Sequence, residues 1–100
     1  MKKIHVKNMT SSNGNSVPNQ FVISIDNDSQ YFSEQFQSYS SAIVRKIYDR
    51  KKNKTNIVLD KNYWDYSVTT GKYRNQFLNE TKKETEAKIK SGEYKLVNLN

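Results

Sequence analysis

The chain of 100 residues has no cysteine, one proline and three glycines, and only 34% of it is hydrophobic. Without cysteine there is neither a disulfide scaffold nor a thiolate zinc site. No run approaches the roughly 20 consecutive apolar residues that a membrane-spanning helix needs. The opening Met-Lys-Lys-Ile-His-Val-Lys is charged but has no apolar stretch behind it, so no secretory signal is expected. Histidine is nearly absent too: His5 stands alone between lysines, and triads or zinc sites need histidine with spaced partners.

What is present argues for a folded chain. Low hydrophobicity combined with a net charge of +7 is the composition of disordered segments. Against it stand 12 aromatic residues, and each large ring buries roughly 150–250 Å². The expected product is one small domain spanning residues 1–100, with a thin core and a surface rich in Asn, Ser and Lys.

Ile4 and Val6 alternate with Lys3, His5 and Lys7, the period of a half-buried strand. Asn13-Gly14 is a turn signal because both residues tolerate positive φ. Phe21, Ile23 and Ile25 resume the alternation and are expected to point inward, with Val22 and Ser24 outward. A turn at residues 26–29 and a third strand over 31–37 complete a three-stranded meander. At Ser40 the spacing changes: Ile43 with Ile47, and Val44 with Tyr48, are four apart, which predicts a helix ending in Arg50-Lys51-Lys52-Asn53-Lys54. Ile57-Val58-Leu59 reads as a strand and about Thr70 to Leu78 as a short helix. Thr81-Lys82-Lys83-Glu84 has the capping-box pattern for a helix that Gly92 stops, and residues 94–99 form a last strand. One helix from Lys72 to Ser91 is the rival reading. The expected class is α+β: a small antiparallel sheet, the N-terminal three-stranded meander plus one or two further strands, packed with two or three helices.

Charge is unevenly placed. Residues 45–61 carry +5, whereas residues 26–44 carry −3. A focused positive patch steers polyanions or acidic protein surfaces, although short basic runs also occur as mere solvated helix ends. Downstream, Tyr63, Trp64, Tyr66 and Tyr73 interleave with Lys61, Lys72 and Arg74. Rings stack on unpaired bases at roughly 1–3 kcal/mol each, and neighbouring cations neutralise phosphates. Trp64, Tyr73 and Phe77 are better spent on the core, which leaves Tyr63 and Tyr66 as the exposed candidates.

Catalytic patterns fail one by one. Asp26 and Asp28 start like a calcium loop, but Tyr31 stands where its glycine belongs and Gln37 where its glutamate belongs. Gly71-Lys72 lacks the upstream glycine and following Ser or Thr of a phosphate loop. Asp60 and Asp65 flank aromatic residues, yet nothing beside them suggests a substrate pocket.

Phe36-Gln37-Ser38-Tyr39 and the run from Trp64 through Leu78, WDYSVTTGKYRNQFL, resemble a family of small uncharacterised proteins encoded by phages and prophages of low-GC Gram-positive bacteria. Val6-Lys7-Asn8, Asn13-Gly14-Asn15 and Asn19-Gln20-Phe21 fit the same resemblance, which spans most of the chain. It implies a phage accessory protein in the host cytoplasm, of the size of inhibitors of host defence such as anti-CRISPR proteins, and no specific chemistry. The expected function is therefore non-enzymatic binding and inhibition of a host protein or ribonucleoprotein complex, a CRISPR effector among them. Direct DNA or RNA binding through residues 45–54 is the alternative. The expected binding residues are Arg45, Arg50, Lys51, Lys52, Lys54, Lys61, Tyr63, Tyr66, Lys72 and Arg74. No cofactor, metal or membrane is expected to take part, and the protein is expected as a monomer or homodimer.

Overall fold

A computed structural model describes residues 2–26 and 30–100. The strands are β1 (Lys3–Thr10), β2 (Ser16–Asp26), β3 (Tyr31–Ser38), β4 (Ser41–Asp49), β5 (Lys54–Asp60) and β6 (Lys95–Val97). Helices α1 (Val68–Leu78) and α2 (Lys82–Ser91) lie between β5 and β6. All six strands join one sheet in chain order, antiparallel except for β6, which runs parallel to β5. Neither helix is long and apolar enough to cross a membrane. Most of the turn expected at 26–29 lies outside the described residues.

The expected α+β class is corrected by this sheet, since strands far outweigh the two short helices. The error sits in one segment: residues 41–49, expected as helix, are β4. A spacing of four fits both periods, because i and i+4 share a face in a strand as well as in a helix. Ile43, Val44, Ile47 and Tyr48 are β-branched or aromatic, residue types that pack best on a pleated surface. Pairing on both sides settles the matter, with Val44 opposite Phe36 of β3 and Leu59 of β5. Tyr39, at φ 56°, sits in the tight turn between β3 and β4.

The two helices are separate. Asn79 closes α1 at φ 55°, its N–H bonding the carbonyls of Asn75 and Gln76. Thr81 opens α2 with a complete capping box and Gly92 closes it at φ 87°. Both helices serve one face of the sheet. Phe36 of β3 stacks on Phe77 of α1 with centroids 5.9 Å apart, and Ser38 Oγ lies 2.9 Å from Thr70 Oγ1. Across that face runs the row Val22–Phe36–Val44–Leu59, each at most 8% exposed. Met9, Ile43, Tyr73 and Tyr94 complete the buried cluster, and Trp64, Phe77 and Ile89 pack against it.

The alternation in β2 is as expected but its sense is reversed. Val22 enters the core, while Phe21, Ile23 and Ile25 stand half-buried on the opposite face, which no helix covers. On that face the register aligns Ile4–Ile25–Ser33–Ile47–Asn56 and, beside it, Val6–Ile23–Gln35–Arg45–Val58. Alternation alone fixes which residues share a face, not which face the helices choose.

Candidate cationic interface

Asp49 organises the turn between β4 and β5. Its carboxylate is 5% exposed as a residue and accepts from Gln30 Nε2 at 3.0 and 3.1 Å and from the N–H groups of Lys51 and Lys52 at 3.0 and 3.2 Å. Burial works against its charge, but the bonds from Gln30, Lys52 and Lys51, with the Lys52 ammonium nearby, outweigh it and hold the pKa below 3.8. Asn53 takes positive φ, 50°, and accepts a hydrogen bond from the Tyr48 hydroxyl. The turn is thus fixed from inside by a carboxylate and an amide.

Its outside is cationic. Lys51, Lys52 and Lys54 are exposed, and among the described residues none has a carboxylate within ion-pair distance. Arg50 is tethered: its Nη2 lies 2.9 Å from Asp26 Oδ1, and its guanidinium sits 5.9 Å from the Phe32 ring centre. Arg45 stands inside the sheet, on the helix-free face, with Nε and Nη2 both directed at Gln35 Oε1.

The rings beside these cations are not those the sequence suggested. Register places Tyr31 opposite Asp49 and Phe32 opposite Tyr48, so three rings frame the cationic end, and Tyr31 is 50% exposed. Only the strand pairing reveals them, because they come from segments 16 or more residues apart in the chain. Tyr63 and Tyr66 follow β5 at its other end. Seven strand residues at roughly 3.3 Å each separate the two ends by about 20 Å. There the two tyrosines, 38% and 45% exposed, form their own edge-to-face pair at 5.4 Å, with Lys61 beside them. The cations at 50–54 and the rings of Tyr63 and Tyr66 therefore lie in two separate regions.

Arg74 belongs to neither. It is 1% exposed, stacks 5.2 Å from the Trp64 ring, and donates to Trp64 O, Asp65 Oδ1 and Asn75 Oδ1. Gly71 leaves room for it: a Cβ there would come 3.6 Å from Arg74 Nη2. Lys72, by contrast, is exposed, with its ammonium 5.5 Å from the Tyr73 ring. Near Arg74 lies an open concavity of about 400 Å³ that includes Asp65, Ser67 and Lys82 in its lining. Asp65 bridges Arg74 at 3.0 Å and Lys82 at 2.7 Å, so one carboxylate is shared between two cations there. Asp60, the other carboxylate weighed from sequence, is fully buried and accepts the N–H groups of Asn62, Tyr63 and Leu99, which ties the turn after β5 to the C-terminal segment.

Residues 4–93 match the model of DUF8033, a family of unknown function. The chain belongs to that family. Comparison with curated proteins and with solved structures gave no match. Membership in DUF8033 covers all five long strands and both helices, so the cationic turn and the Arg74 cluster both lie within the family's extent.

Proposed function

We propose that this protein is a non-enzymatic phage accessory protein that acts by docking. In this reading it binds and inhibits a host nucleic-acid-handling or defence complex, a CRISPR effector among the possibilities, inside the host cytoplasm. The phage setting is supported by the sequence resemblance. The docking surface is supported by one observation: Lys51, Lys52 and Lys54 project from a rigid turn, without carboxylate partners among the described residues, beside Tyr31, Phe32 and Tyr48. Cations with no carboxylate at ion-pair distance speed encounter with an acidic surface, and a tyrosine at their side is a preferred interface anchor.

The same juxtaposition favours a second reading, direct contact with DNA or RNA, in which lysines meet phosphates and Tyr31 stacks on a base. Co-purification from infected host cells, with and without nuclease, separates the two. The first reading predicts a stoichiometric protein partner that survives nuclease. Loss of the partner on nuclease treatment transfers the case to nucleic acid, and recovery of no partner under either condition contradicts both.

A further inference from the structure

We propose that the helix-free face of the sheet is a self-association surface on which a second copy of this chain packs face to face. The proposal is independent of the cationic turn and of whatever that turn binds. Its centre is Ile4, Val6, Ile23 and Ile25 of β1 and β2, flanked by Phe21 and Ile47. Ile4 and Val6 are 59% and 54% exposed, and the others are half-buried, with neither α1 nor α2 on their side of the sheet. Soluble monomers rarely leave a contiguous apolar patch of more than a few hundred Å² open to water.

Area, charge and shape point to the same occupant. Five strands spaced about 4.8 Å apart, each about eight residues at about 3.4 Å, offer a footprint of roughly 650 Å². That approaches the roughly 800 Å² per partner of a standard specific interface. In the two central rows of this face Arg45 is the one charged residue, and its N–H groups already engage Gln35. A polyanion would find a single cation there, which argues against nucleic acid. Two copies of a chain with net charge +7 repel each other wherever their lysines meet, and the two central rows of this face hold no lysine, Lys54 standing one row beyond them opposite Asp49. Open sheet faces pack on one another at about 10 Å with interdigitating side chains, and a two-fold axis supplies the complementary surface from an identical chain.

Sedimentation equilibrium on the full chain tests this. The expected species is a dimer of twice the 11.7 kDa chain mass, undiminished by raised salt and by nuclease. The double variant Ile4→Lys/Ile25→Lys should weaken the dimer at least about tenfold while far-UV circular dichroism stays unchanged. Val68→Lys, which replaces an apolar side chain 92% exposed on α1, away from the face, should leave the dimer intact. If the double variant fails to fold, Val6→Lys on the edge strand alone is read in its place. A wild type that stays monomeric into the hundreds of micromolar overturns the proposal. So does a dimer that survives the face substitutions, which would assign association to the open edge of β1, and so does one that salt or nuclease dissolves.

Discussion

The Arg74 guanidinium lies 5.2 Å from the Trp64 ring while it donates to the Trp64 carbonyl at 2.8 Å, so one side chain grips the other from ring and backbone together. This pair, with Asp65 and Asn75, ties the 61–67 loop to α1. Arg74→Ala is expected to destabilise the fold by about 3 kcal/mol, because a buried charged network loses its hub. At 4–8 °C per kcal/mol for a domain of this size, the melting temperature should fall by more than about 10 °C. Arg74→Lys should not rescue it, since an ammonium cannot donate in three directions from a planar fork. Lys72→Ala, on the same helix but exposed, should stay within about 0.5 kcal/mol. Thermal unfolding of the three variants checks the ranking.

Gln20 is 1% exposed, and neither its Nε2 nor its Oε1 has a protein partner among the described residues. A buried amide in that position carries its desolvation cost uncompensated. Gln20→Met, close in shape and apolar, is therefore expected to raise stability by about 1–3 kcal/mol in urea unfolding. A lower midpoint for Gln20→Met would show that the amide is satisfied.

Stability should depend on pH at both ends. At Asp60 burial favours the neutral acid, but bonds from Leu99, Asn62, the Asn100 side chain and Tyr63 outweigh it and put the pKa below 3.8. At Asp65 burial is likewise overcome by Lys82 and Arg74. Such depressed groups contribute fully above their unfolded values, and the contribution vanishes as pH falls through the folded ones. At the other end burial, then the hydrogen bond to Glu80, pushes the Tyr94 phenol up to about 12 from 10.0. A raised group contributes below its unfolded value and loses that contribution as pH rises through the folded one. Urea midpoints should be flat from about pH 5 to about pH 9, falling below about 4 and above about 10. Asp60→Asn should cost about 1–3 kcal/mol on the plateau, because an amide nitrogen would face donors, and should shrink the acid-side slope.

Thr81 Oγ1 accepts from Glu84 N at 3.2 Å while Glu84 Oε1 accepts from Thr81 N at 3.1 Å. Thr81→Ala should cost about 1 kcal/mol and Thr81→Ser much less. Amide exchange in the first turn of α2 would speed up in the alanine variant alone.

Local signals in the sequence matched local structure. Gly14 at φ 82° makes the first hairpin turn, and Thr81, Glu84 and Gly92 bound α2 where their chemistry placed it. What failed was non-local. Whether Ile43, Val44, Ile47 and Tyr48 form a helix or a strand depends on partners in β3 and β5, because their spacing suits both periods. Whether Val22 or Ile23 meets the core depends on which side α1 and α2 dock. The lysines at 51, 52 and 54 could be grouped because they are contiguous in sequence. Tyr31 and Phe32 join them only through strand register, and Arg74 falls among the expected binding residues because a polar helix gives no sign that one arginine is folded under it.

On the proposed reading, the turn between β4 and β5 docks on a larger anionic partner. The most direct measurement is affinity capture from nuclease-treated host lysate with the wild type and with Lys51→Glu/Lys52→Glu/Lys54→Glu, both confirmed folded by circular dichroism. A stoichiometric protein partner is expected for the wild type, weakened by added salt, with nearly all of it lost for the charge-reversed variant. Undiminished capture by the charge-reversed variant would contradict that reading.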